Sequence, residues 1–416
     1  MLDPAPPSPT PPSINLKQMS STISPELFEA LTRHDQQPVA MLSELIEFYR
    51  QNEQPMELFE AQKMLVRANL GLPLLAADNE PVREDEIEHQ LESGLLKACR
   101  ESGEMLIRAG RVFEGWTYLR PTGDNQLIRE ALAAVEITDD NFDEMQRVLL
   151  HEGVDVGRGF QAILDFQGTC NSITLFDQSL AQSSKADRQA AGACLLNHFY
   201  DELISLVRED ITARDKAPAD DETLFDMIDK RPWVLKDGGY HLDTTHLSST
   251  VRIAMPLTDP ELLQKAWELT QYGRQLNHQF QYPGDEPFVD FYPSYAAFYG
   301  ILLGKNVDAG LKLFERKAKS VDTDQHGSGA IETYVDLLDR VGRHRDAIAF
   351  AVNHVPSDVP SQAVIPLLME IAKRDQEAVE QTDEGETGYD LIANFCRDRD
   401  DPIGFAVAKY TSSQSA

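Results

Sequence analysis

The chain is short of basic residues. Lys and Arg number 38 against 69 Asp and Glu in 416 residues, a formal charge of -31. Phosphate backbones need clustered cations, so no nucleic-acid partner is expected. Cysteine is scarce as well. Cys99, Cys170, Cys194 and Cys396 are scattered and form no CxxC. That removes a zinc knuckle and a thioredoxin-type motif, and it fits a reducing compartment, so a cytoplasmic location is expected. No apolar run reaches about 18 residues, so no membrane span is expected. The opening MLDPAPPSPTPP has neither a basic n-region nor an apolar h-region, which excludes a secretory signal. GxSxG, GxGxxG and P-loop patterns are absent, leaving nucleotide binding and α/β-hydrolase chemistry without support.

Helical periodicity, by contrast, is plentiful. Residues 1–23 read as a disordered, Pro-rich tail. Ser24-Pro25-Glu26 then combines an N-cap, a first-turn proline and an acid, the start signals of a helix. Apolar residues recur at 3/4 spacing through most of the remaining chain: Leu27, Phe28 and Leu31, then Met41, Leu42, Leu45 and Ile46, then Leu58, Phe59, Met64 and Leu65. Residues 84–109 hold either one long helix or two, broken near Ser102-Gly103. The β-branched runs are too short to build a sheet. Many short helices joined by Gly-, Pro- or Asn-containing turns do not fit one bundle. They predict an all-α fold, an α-α superhelix or solenoid of antiparallel helical hairpins with an irregular central region. The expected divisions are an N-terminal repeat region over 24–150, an atypical centre over 151–290, and a C-terminal repeat region over 291–416.

Internal repetition supports a solenoid. Glu26-Leu27-Phe28-Glu29-Ala30 returns as Glu57-Leu58-Phe59-Glu60-Ala61, and Leu313-Phe314-Glu315 echoes both. Three later segments run from a helix through a glycine into a second helix, around Gly110, around Gly304 and from Gly342 to Ala347, the last two with alanine near the second helix's start. Their form resembles degenerate tetratricopeptide-like helical hairpins. Gly342 and Ala347 match the turn glycine and the following alanine, and Pro356 falls a few residues before the closing proline. The match covers about 24–70, 96–135 and 295–356. It implies a scaffold or binding protein whose concave face holds a protein or peptide.

Two features of the centre carry site expectations. His198 and Glu202 lie four apart on a predicted helix, and His241 and His246 flank Asp243. Were His198, Glu202, His241 and His246 to converge, they would form a His/carboxylate site for a divalent metal such as zinc, as a hydrolase needs. Asp243 is equally suited to N-cap a helix running to Ala254. A third residue, Cys170, sits in a Gly-Thr-Cys-Asn turn, with His151 or His198 as potential base. The second feature is aromatic. Seven aromatics fall between Tyr282 and Tyr299 in a chain that is 8% aromatic, interleaved with acids and with Pro283, Pro287 and Pro293. Here Asp285, Glu286 and Asp290 are expected to steer a basic or basic–apolar partner, and Phe291, Tyr292 and Tyr295 to anchor it. Partner binding without a cofactor is the leading expectation. Metal-dependent hydrolysis is the alternative, and the oligomeric state stays open.

Overall fold

The computed structural model describes residues 25–77, 80, 82–378 and 386–414. The expected tail over 1–23 lies outside them. The described residues form twenty α-helices and no strand. The fold is all-α and solenoid-like, and among the described residues no helix is long and apolar enough to cross a membrane. The chain divides into two compact units, Met1–Asp155 and Val156–Ala416.

The first unit contains α1 (Pro25–Thr32), α2 (Pro38–Gln51), α3 (Pro55–Asn69), α4 (Asp85–Arg108), α5 (Val112–Leu119), α6 (Asn125–Ala133) and α7 (Phe142–Gln146). The two copies of the repeated pentapeptide open α1 and α3, and each buries its leucine, Leu27 and Leu58. Residues 85–108 form one continuous helix. Ser102-Gly103 does not break it, because Gly103 is where α5 crosses. A Cβ on Gly103 would lie 2.9 Å from the Gly115 carbonyl oxygen, and one on Gly115 would lie 2.8 Å from that of Gly103. Two glycines thus let α4 and α5 touch backbone to backbone.

The second unit contains α8 (Val156–Leu175), α9 (Lys185–Arg214), α10 (Leu224–Lys230), α11 (Thr244–Ile253), α12 (Pro260–Gln275), α13 (Phe291–Leu302) and α14 (Val307–Ser320). It continues with α15 (Thr323–His326), α16 (Gly329–Arg340), α17 (His344–His354), α18 (Ser361–Ala378), α19 (Gly388–Asp398) and α20 (Pro402–Gln414). From α16 onward each helix packs on the next, and α17 and α18 also meet the next but one, α19 and α20. That is the neighbour pattern of stacked hairpins. One core runs from Leu196 to Ala408 and includes residues on both sides of position 290. The centre departs from this ladder. Gly168 interrupts α8 with φ 79°, and α9 is a 30-residue spine packed by α8, α10, α11 and α12. Buried Glu268 of α12 accepts from the Tyr200 hydroxyl (2.7 Å), Gln264 Nε2 (2.8 Å) and the Phe225 backbone N–H (3.3 Å). This carboxylate therefore ties α9 and α10 to α12.

One turn recurs in five hairpins with short links, and the end of α3 closes in the same way at Gly71 (φ 69°), where the Leu72 N–H reaches the Arg67 carbonyl at 2.9 Å. A residue in the left-handed region follows the helix: Glu53 (φ 52°), Gly110 (φ 79°), Gly304 (φ 73°), Gly342 (φ 80°) and Asp400 (φ 52°). The next residue's N–H then reaches back five positions. The bonds are Gln54 to Tyr49, Arg111 to Leu106, Lys305 to Gly300, Arg343 to Leu338 and Asp401 to Cys396, at 2.7–2.9 Å. This is the Schellman closure, which satisfies carbonyls the helix end leaves orphaned. In four of the five the next helix starts two residues beyond the left-handed one.

Three substitutions separate these effects. Gly115→Ala places a methyl against backbone and should cost about 1–3 kcal/mol. Gly342→Ala meets no atom within 4 Å, so only its positive φ counts, at about 1 kcal/mol. Glu53→Gly relieves a side chain from the left-handed region and should add about 1 kcal/mol. Denaturant melts of the three variants measure all of this. Equal losses for the two alanine variants, or a loss for Glu53→Gly, would overturn the assignment.

Candidate interaction surface

The metal donors named from sequence do not gather. Among the described residues no group of three or more His, Cys, Asp or Glu could hold an ion. His198 Nε2 stands 4.0 Å from Glu202 across one turn of α9. His241 instead pairs with Asp210 of α9 at 3.4 Å. Asp243 caps α11, accepting from the backbone N–H of Thr245 (2.8 Å) and His246 (3.3 Å), as its helix-start position allows. The Thr245 hydroxyl and these N–H groups hold the Asp243 carboxyl below its ordinary range. Helix capping has thus claimed the acid between the two histidines. Cys170 is exposed just past the Gly168 kink, and no hydrogen bond joins it to His198 among the described residues.

His241 is better placed as a latch. Its backbone N–H donates to the Tyr272 hydroxyl oxygen at 3.0 Å, and its Nδ1 lies 2.8 Å from the same oxygen. A hydroxyl has one proton to give, so the arrangement suits a neutral ring that accepts at Nδ1 and carries its proton on Nε2, toward Asp210. Arg214 holds the other side of Asp210 at 2.8 Å. Burial pushes the His241 pKa down, against the opposing pull of Asp210.

The aromatic segment proves to be two-sided. Tyr292 is 1% and Tyr295 3% exposed, so neither can anchor a partner. The Tyr292 ring fills the space a side chain at Gly273 would take, where a Cβ would come within 2.2 Å of it. Tyr295 stacks on Phe288 with centroids 4.0 Å apart and an 11° interplanar angle. Phe291 is half-buried beside both. Pro293 lies in the first turn of α13, so the helix begins before it and turns these rings onto α12 and α14. Expectation and structure differ because composition alone does not distinguish the two faces of a loop.

Other side chains face outward. Tyr282 is 40%, Val289 44% and Tyr240 52% exposed. Tyr240 meets Phe280 edge-on at 4.9 Å, and the Tyr282 hydroxyl lies 3.4 Å from Thr244 Oγ1. The loop is pinned from beneath, where Lys317 Nζ donates to the Pro287 carbonyl and to Ser294 Oγ. Asp285 and Asp290 are exposed on this loop, with Glu286 half-buried between them. Of the acids named from sequence, Asp285 and Asp290 therefore stand at the surface, and the exposed rings are Tyr240 and Tyr282 in place of Tyr292 and Tyr295. Tyr240 lies about 40 residues upstream of the aromatic cluster, so no local sequence signal joins it to the site. No protein-family model, curated protein or solved structure matches the chain.

Two substitutions check these positions. Tyr292→Ala should cost about 3–5 kcal/mol, the range for emptying a buried aromatic site, whereas Tyr282→Ala should leave the melting temperature within about 2 °C. Matching losses would return Tyr292 to the surface. His241 titrates below its unfolded value near 6.5. In acid the unfolded chain takes that proton more readily. The stability from the neutral ring is thus complete above about pH 6.5 and is lost as pH falls through the lower folded pKa. Melts between pH 7.5 and 5.5 should show this slope, and His241→Phe should remove it. An unchanged slope in the variant would assign it to other groups.

Proposed function

We propose that the protein is a binding scaffold that captures a basic or basic–apolar segment of a protein partner. The observation that carries this reading is the loop that exposes Tyr282, Asp285 and Asp290 together, with exposed Tyr240 packed edge-on against Phe280 where that loop begins. Rigid aromatics offer contact area at little entropic cost. Carboxylates around them raise the rate of encounter with a cation and favour guanidinium or ammonium groups over the rings. A charge of -31 extends that attraction over the whole molecule. The repeated hairpin turn supports a tetratricopeptide-like scaffold in particular, because it stacks helices without committing their outer faces. Hydrolysis finds less support, since the His and Glu donors stand apart.

The test is titration with fluorescent peptides of about 15 residues that alternate Arg or Lys with Leu or Phe. Affinity should fall as NaCl rises from 50 to 500 mM, because screening shortens the reach of the acids. Tyr240→Ala with Tyr282→Ala should weaken binding at least about tenfold with unchanged circular dichroism. Undiminished binding by this folded double variant would move the surface elsewhere, and salt-independent binding would remove the electrostatic part.

A further inference from the structure

The first unit has an apolar hollow between α2 and α3. Leu42, Leu45 and Tyr49 come from α2, and Met56 and Met64 from α3, around about 350 Å³. Met56 is 44% exposed there. Along α3 the lined stretch from Met56 to Met64 is about 12 Å long at 1.5 Å per residue. A solenoid buries each hairpin on its neighbours and needs a cover on its terminal one. Here α1 packs on α2 and leaves the hollow open.

Both charged groups of the lining are acidic, Glu57 and Glu60. Glu60 is paired with Lys63 at 2.6 Å. Arg111 reaches Met56 Sδ at 3.3 Å, but its ion pair is with Glu114, and Glu57 feels it only at longer range. Glu57 is exposed and has no ion-pair partner among the described residues. The rim therefore keeps one unmatched negative charge beside apolar surface.

We infer that this hollow receives residues 13–23 of the same chain. Three features of the sequence before α1 select that segment. Six prolines fall in its first twelve residues, and none lies between Ser13 and Ser24. The proline-free part carries Ile14, Leu16, Met19 and Ile23, apolar residues that the floor can bury. Its single charged residue is Lys17, opposite in sign to Glu57. A lysine can lay its stem on Met56 and set its ammonium at Glu57. Reach is sufficient as well. From Ile14 to Ile23 the chain spans up to about 30 Å, more than the length of the hollow, and Pro25 opens the helix that packs on α2. Tethering gives the segment an effective concentration of about millimolar, which a second copy or a separate partner has to match from solution.

Limited digestion with trypsin, followed by mass spectrometry, tests the docking on the full chain. Lys17 is the first Lys or Arg, and the next is Arg33, so the cut after Lys17 reports on this segment alone. Cleavage follows the fraction of time the segment is free when opening and closing are fast. The cut in the full chain should be at least about tenfold slower than in a synthetic peptide of residues 11–24. Met56→Lys and Glu57→Lys change exposed side chains, so they spare the fold. Each should bring the rate up toward that of the peptide. Met19→Ser should do the same from the other side, measured against a peptide with the same change. The cut after exposed Lys216, in the second unit, should keep its rate in every variant. A full-chain rate equal to the peptide's would overturn the proposal. So would protection that survives all three substitutions. Protection that grows with protein concentration would overturn it too, by making a second copy the occupant. The Tyr240→Ala, Tyr282→Ala variant should be cut after Lys17 at the unaltered rate, which separates failure here from failure of the proposed function.

Discussion

A helix end closed by one left-handed residue is the constraint on which the architecture depends. The closure at Glu53, Gly110, Gly304, Gly342 and Asp400 reverses the chain within a few residues. Successive helices must therefore lie side by side. Each amphipathic stripe is too narrow to enclose itself and is buried on the helices immediately before and after. The Gly103–Gly115 crossing is the tightest expression of this rule: the hairpin is so short that side chains at the crossing would hold the helices apart.

Where that turn is absent, the ladder gives way. Between α8 and α13 the connections lengthen, and α9 takes over as a spine on which four other helices are laid. The long segments before α11 and after α12 then need other fastenings. His241 ties the first to Tyr272 and Asp210, and Lys317 ties the second from below. Both segments bring aromatic rings to the surface, Tyr240 from one and Tyr282 from the other. The exposed rings are a consequence of irregular connections, because hairpin turns this short have few residues to spare for them.

Charge acts at two ranges. Over the whole molecule the excess of acids repels like-charged chains and attracts basic ones, an effect salt weakens. At short range most charges are already engaged. Asp243 caps a helix, Asp210 holds a histidine and an arginine, and buried Glu268 is enclosed by three donors. What distinguishes Asp285 and Asp290 is exposure on the same loop as Tyr282 and Val289, a property of position that residue type does not carry.

Local chemistry was enough to determine the fold class. Helical periodicity, the proline and capping starts, and the turn glycines at 110, 304 and 342 act within a few residues, so they can be read along the chain. The same turn at Glu53 and Asp400 was hidden, because neither is glycine, the residue that marks a left-handed helix end in a sequence. The site divides in the same way. Its acids and its aromatic richness were legible as composition. Which rings turn inward was decided by Gly273, where a missing side chain admits Tyr292, and by Phe288 stacking on Tyr295. The partnership of His241 with Asp210 and Tyr272, and of Tyr240 with Phe280, spans 31 to 40 positions. Spacing along one helix or loop fixes which residues share a face. Proximity across such separations comes from burying helix against helix, and that is settled only when the whole core closes.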